Sequence, residues 1–212
     1  MTCYTGCKCS SQEDSAMVSN TKSIPVFSAC GGNSGGTRRG IALAQLALML
    51  DYPDGQFYSR LSGLADSVGS AYPEAAKPLK KFYELCKEMP LSELEELYTR
   101  TFDLAAIASP YITGYIYGDE NYDRGTLMAC LSENYSRLGF ELEGELPDHL
   151  ALLLRFSSWL DEETLDELIE YCLREPVAQM CEQLRNSDNM YFFLLSAISA
   201  VLNSAQRGDS HK

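Results

Sequence analysis

The sequence predicts an all-α protein, a single multi-helix bundle behind a poorly structured leader. From Arg38 onward almost every segment places apolar residues at helical spacing. No stretch alternates with the period of two that a strand bounded by turn signals would show. With 212 residues and 45% apolar content, the chain can bury a sizeable core, as one large domain or two small ones.

Residues 1–37 are rich in Ser, Thr, Gly and Asn, have only Tyr4 and Phe27 as aromatics, and read as a flexible Cys-containing leader. The helical domain is expected over 38–212. Ile41 to Met49 begins it and stops at Asp51-Tyr52-Pro53-Asp54-Gly55. Phe57, Leu61, Leu64 and Val68 form the next stripe, followed by a helix over about 77–88 near Pro73 and Pro78. Ser92 with Glu95 forms a capping box ahead of Leu94, Leu97, Tyr98 and Phe102. Leu127, Leu131, Tyr135 and Leu138 make a further stripe, which Gly139 ends in a left-handed stop with Phe140 folding back.

Pro147 suits the first turn of a helix carrying Leu150, Leu153, Leu154 and Trp159. Asp161 caps the next, where Leu165, Leu168, Ile169 and Cys172 face inward and Glu162, Glu163, Asp166, Glu167 and Glu170 face out. Pro176 restarts a helix through Met180 and Leu184. The last helix, about 189–205, is apolar on most sides and is expected at the centre of the bundle. The apolar runs Ile41 to Leu50 and Met190 to Leu202 fall short of the roughly 20 residues a membrane span needs.

Net charge is −13, which argues against nucleic acid and for a basic partner. Residues 1–40 hold Lys8, Lys22, Arg38 and Arg39 against Glu13 and Asp14, so the acidity belongs to the helical part. Cys86, Cys130, Cys172 and Cys181 are scattered among apolar residues and read as small buried hydrophobes in a reducing compartment.

Asp119, Asn121 and Asp123 imitate the start of a calcium loop, but its glycine is one position late and Cys130 stands where a bidentate glutamate belongs. They read as a polar helix-start loop with Asp119 or Asn121 capping. Gly32-Asn33-Ser34-Gly35-Gly36 matches a nucleophile-elbow pattern without the strand that would give it meaning. Only His149 and His211 exist, so a three-histidine zinc site is impossible. The run Glu141, Glu143, Glu145 and Asp148 reads as a solvated face. Cys3, Cys7, Cys9 and Cys30 could offer four thiolates to zinc or an iron–sulfur cluster, which makes a metal carrier the alternative function. Arg38-Arg39 ahead of an apolar run imitates an export signal. Instead of a processing site, the run leads into Asp51-Tyr52-Pro53-Asp54 and another amphipathic helix, which read as part of the fold.

Four motifs occur in order: Leu50-Asp51-Tyr52-Pro53-Asp54; Leu97-Tyr98-Thr99-Arg100-Thr101-Phe102-Asp103; Tyr117-Gly118-Asp119 with Asp123-Arg124-Gly125; and Glu145-Leu146-Pro147-Asp148-His149-Leu150. Over about residues 40–205 the chain thereby resembles the TorD/DmsD/NarJ family of molybdoenzyme assembly chaperones, in its NarJ-like, nitrate reductase branch. The resemblance implies a cytoplasmic, non-enzymatic chaperone with no cofactor of its own. Such a protein binds the N-terminal, twin-arginine-like peptide of a molybdenum-containing reductase catalytic subunit and holds the subunit for molybdopterin insertion. A basic, apolar peptide would suit the acidic chain.

Carried over by motif, the resemblance implies peptide contacts at Tyr98 and Phe102, at Tyr115 and Tyr117, and at Asp148 and His149. Asp119 and Arg124 would form an internal ion pair that shapes the groove. On this reading Asp148→Lys weakens peptide binding and leaves the helices intact. The family's Pro-Asp-His/Tyr-Leu-Pro-x-x-x-Glu-Phe run is altered here, with Ala151 and Arg155 in place of the proline and glutamate.

Overall fold

The computed structural model describes residues 36–118, 122–142 and 144–204. Apart from Gly36 and Thr37, the leader with Cys3, Cys7, Cys9 and Cys30 lies outside the described residues, as do Asp119 and Asn121. Among the described residues there are helices, turns and one isolated backbone bridge.

Helix α1 (Arg38–Ala47) starts on Thr37, whose hydroxyl accepts the Gly40 amide at 2.9 Å. Arg39 is buried, and its guanidinium pairs with Glu162, at 2.9 Å, and Asp166, so this arginine is built into the fold, while Arg38 is exposed. Helices α2 (Phe57–Ala71) and α3 (Pro73–Cys86) pack together through Phe57, Leu61, Leu64 and Val68. Proline at the first position of α3 costs no backbone bond, so α3 begins before the expected residue 77.

Helix α4 (Leu91–Tyr98) starts on Pro90 with no side-chain cap, which corrects the capping box placed on Ser92. It runs into a π-helical turn, Thr99–Asp103, a widened geometry frequent at functional sites. Short α5 (Ile112–Tyr117) leads to α6 (Asp123–Leu138). Gly139 ends α6 in the left-handed region at φ 74°, and the Phe140 amide bonds back to Tyr135, as expected.

Helix α7 (Leu150–Phe156) begins after Pro147, not at it, and ends in a tight 3₁₀ turn, Ser157–Trp159. Trp159 is 51% exposed and packs on Phe140 at the surface instead of in the core. Asp161 caps α8 (Glu162–Leu168) by accepting the Thr164 amide at 2.9 Å. A π-helical segment, Ile169–Leu173, then joins α8 to α9 (Arg174–Asn186) without a break. Pro176 therefore does not restart a helix. It has no amide to give the Cys172 carbonyl, and the wider turn just before it absorbs the lost bond.

Helix α10 (Tyr191–Leu202) occupies the centre, against α3, α9 and α1. Asn189 holds its start, accepting the Tyr191 amide at 3.0 Å and donating to Thr101 at 2.7 Å. Cys86, Cys172 and Cys181 are buried free thiols, pushed up to about 12, 12 and 11 by burial, while Cys130 is half-buried.

At Gly40 helix α1 passes close against the 3₁₀ turn. A Cβ there would lie 2.2 Å from the Ser157 carbonyl oxygen, whereas Gly63 on exposed α2 has open space around it. Gly40→Ala is expected to cost about 1–3 kcal/mol by overpacking. Gly63→Ala should gain about 0.5–1 kcal/mol from helix propensity. Urea unfolding of both checks this, and equal midpoints would mean that α1 does not seat on the turn.

Candidate peptide-binding cleft

The site is assembled by a backbone pairing between segments far apart in sequence. The Ile112 amide donates to Asp148 O at 3.0 Å and the Leu150 amide to Pro110 O at 2.8 Å, bridging Tyr111 to His149. Neighbouring side chains in extended backbone point to opposite sides. Asp148 accordingly turns inward and His149 outward, while the Tyr135 hydroxyl anchors the turn by donating to Pro147 O at 2.7 Å.

Asp148 has 0% exposure. Its Oδ2 accepts from the Thr113 hydroxyl, which itself accepts Arg124 Nε at 2.8 Å, and Arg124 Nη2 lies 3.9 Å from the same carboxylate oxygen. Asp148 thus offers a peptide no surface, which corrects the expectation that it makes a direct contact. Arg124 does belong to an internal ion pair, with Asp148 as its partner among the described residues.

His149 is half-buried, with its ring edge-on to Tyr111 at 5.4 Å. Burial lowers its pKa below the usual imidazole value. The Glu145, Asp51 and Asp148 carboxylates oppose that shift, and Arg155 adds to it. Tyr98, also half-buried, donates to Leu50 O at 3.0 Å and meets Tyr52 edge-on at 5.5 Å. Burial first, then Asp51, Glu145 and Asp103, push its phenol up to about 12. Burial and then the Glu145, Asp148 and Asp103 carboxylates also raise Tyr111. Tyr98, Tyr111 and His149 are therefore aromatic groups set among the carboxylates of Asp51, Asp103 and Glu145.

The surface here is open and partly apolar. Leu104 is 72% exposed, Tyr52 56% and Leu146 46%. Ala105, directly after Leu104, sits in the left-handed region at φ 52°, a strained conformation of the kind that gathers at ligand clamps. An open cavity of about 490 Å³ lies alongside, with Tyr52, Glu95, Glu96, Thr99, Arg100 and Leu104 in its walls. Arg155, on α7, pairs with Asp51 and so neutralises one carboxylate of the rim. Asp103 and Glu145 are exposed acids.

Phe102 is buried beneath this surface, its ring tilted against Tyr98 at 5.3 Å and edge-on to Tyr191 at 4.9 Å, so it supports the cleft. Tyr115 is engaged elsewhere, its hydroxyl 3.1 Å from Ser109 O and 3.0 Å from Gln183 Oε1 on α9. Burial pushes it up to about 12. Tyr117 is shifted upward by burial, then by Cys172 and Asp123. Tyr52, Leu104 and Tyr111 were not anticipated. Tyr52 stands in a quoted motif, but the bridge that brings Tyr111 to His149 leaves no local signal.

Among the described residues no group of three or more His, Cys, Asp or Glu could hold a metal ion. No described helix is long and apolar enough to cross a membrane.

A family model described as nitrate reductase delta subunit matches residues 65–194. The chain is 29% identical over 172 residues to the "Probable nitrate reductase molybdenum cofactor assembly chaperone NarJ" of Bacillus subtilis (strain 168), covering 79% of this chain and 91% of that one. It is 24% identical over 173 residues to the "Nitrate reductase molybdenum cofactor assembly chaperone NarJ" of Escherichia coli (strain K12), covering 80% and 72%. A solved structure titled "Crystal Structure Of A Putative Redox Enzyme Maturation Protein From Archaeoglobus Fulgidus" superposes with a TM-score of 0.56 at 20% identity, over 82% of this chain and 99% of that chain, and so shares the fold.

Proposed function

Because this chain belongs to the nitrate reductase delta subunit family, we propose that it is a non-enzymatic assembly chaperone for a nitrate reductase or related molybdoenzyme. It works in the cytoplasm on the catalytic subunit. The cleft around Tyr98, Tyr111 and His149 takes the N-terminal, basic and apolar peptide of that subunit and holds it until the molybdopterin cofactor is in place.

The observation that carries this reading is the Tyr111–His149 pairing, which sets three aromatic groups among Asp51, Asp103 and Glu145 beside exposed Tyr52 and Leu104. Such a surface suits an amphipathic segment lying apolar side down, with cationic side chains reaching the rim. Tyr52, Leu104, Tyr111 and His149 make the contacts, and Phe102, Thr113, Arg124 and Asp148 hold the shape. Release requires no chemistry. The chaperone binds the flexible apo form of the client and loses its site when the client folds around the cofactor.

Calorimetric titration with N-terminal peptides of the molybdoenzyme catalytic subunits from the same genome tests this. One peptide should bind at micromolar or tighter Kd, and its affinity should fall as salt approaches 0.5 M, where screening shortens to about 4 Å. Silence from every peptide would overturn the assignment of the cleft, and salt-independent binding would remove the acidic rim from it.

A further inference from the structure

We propose that the groove between α3 and α10 is a second docking site, made for an acidic amphipathic helix of a partner protein. It is a cavity of about 570 Å³ whose floor is Pro78, Phe192 and Phe193 and whose rim carries the exposed Lys77, Lys80 and Lys81. These residues lie apart from the Tyr98 and His149 cleft, and their assignment does not depend on the function proposed for it.

The distribution of cations is the first argument. All four lysines among the described residues fall between Lys77 and Lys87, on a chain of net charge −13. The arginines are mostly spent internally: Arg39, Arg60, Arg100, Arg124, Arg155 and Arg174 each sit by a carboxylate. Lys77, Lys80 and Lys81 pair with no carboxylate among the described residues, although Glu84 also lines the groove. Arg185 adds a further positive group, its guanidinium 5.0 Å from the Phe192 ring centroid. Among the described residues the unpaired lysines thus gather on one groove, where they attract an anionic partner, while Arg38 stands exposed at the start of α1.

The second argument is the floor. Helix α10 carries no charged residue, and Phe192 and Phe193 are left half-buried beside the fully buried Leu194 and Leu195. Apolar rings behind a cationic rim match a helix with apolar anchors on one face and Asp or Glu flanking them. The 14 residues of α3 span about 21 Å, so the occupant runs about four turns. A second copy of this chain fits poorly, because a two-fold contact through this groove sets lysines against lysines. A flat anionic bilayer fits less well than a helix, since the rings lie in the trough between two helices.

The test uses the full chain and three probes. One is an 18-residue synthetic helix (about five turns) with Leu at i, i+3, i+4 and i+7 and Glu at the flanking positions. The others are its twin with Lys for Glu, and phosphatidylglycerol vesicles. Calorimetry in about 50 mM salt should show the Glu helix binding at least about tenfold tighter than the Lys twin, with affinity falling steeply as salt rises. Lys77→Glu/Lys80→Glu/Lys81→Glu should weaken the Glu helix by at least about tenfold without weakening a basic client peptide. Phe193→Ala should also weaken it, and circular dichroism confirms that both variants are folded. The neutral Lys→Gln triple serves if the Glu triple is not. No binding of the Glu helix, equal binding of the twin, indifference to the lysine changes, or preference for vesicles over peptide would each overturn the proposal.

Discussion

Asp148→Lys is expected to destabilise the whole fold by at least about 3–5 kcal/mol, not to weaken a single binding contact. The carboxylate has no exposure, accepts from the Thr113 hydroxyl and faces Arg124. A lysine there would place an ammonium beside a guanidinium at a position with no exposure of its own. Removing one partner of a buried pair costs about 3–5 kcal/mol, since the other is left uncompensated. Whole-domain stability is only about 5–15 kcal/mol. Arg124 is 30% exposed and can recover some hydration, so Asp148→Ala should lose a little less, about 2–4 kcal/mol. Asp148→Asn, which keeps the shape, should lose about 1–3 kcal/mol. Urea unfolding checks the series. An Asp148→Lys protein with an unchanged midpoint would show that this carboxylate is not the internal partner of Arg124.

Asp148 also shows where the sequence stops being legible. Features set by the local chain could be read: the Asp161 cap, the Gly139 stop and the stripe from Phe57 to Val68 depend only on residues of their own segment. The polar pair before Leu150 could not, because its environment is set by a segment some 40 residues earlier. Extended pairing with Tyr111 displaced the helix start that Pro147 favours locally and sent one residue of the pair inward. Ser92 lost its capping role because Pro90, with its fixed φ and no amide, already serves as the boundary of α4. Pro176 misled for the opposite reason, since a π turn, which has no local signature, let the helix pass through it. The motif aromatics divided likewise, with Tyr98 at the surface and Phe102 in the core, although both sit on one stripe.

If the cleft binds its peptide as proposed, Glu145→Lys with Asp103→Lys should weaken that binding by at least about tenfold at low salt. Both side chains are exposed, so screening limits each to well under the worth of a buried pair, and their combined reversal carries the effect. The loss should shrink as salt rises toward about 0.5 M. Leu104→Ser should act through burial instead. Leu104 is 72% exposed in the free protein, and covering such a side chain is worth about 1.5–3 kcal/mol, a factor of roughly ten to a hundred or more that salt leaves in place. Acidification supplies a third handle through His149. Its pKa is depressed in the folded protein, so the unfolded chain takes up its proton first. The stability it contributes is therefore present above the ordinary value near 6.5 and is lost as pH falls through the folded pKa. The imidazolium formed there faces Tyr111 and stands among Glu145, Asp51 and Arg155, and it would repel a basic peptide. Affinity should thus fall between about pH 7 and pH 5 in the wild type, and less in His149→Gln. A pH profile identical in the two proteins, with full affinity in the Glu145/Asp103 variant, would place the peptide on another face. Salt-sensitive loss from the acids and salt-insensitive loss from Leu104 would instead separate the rim's attraction from the burial beneath it.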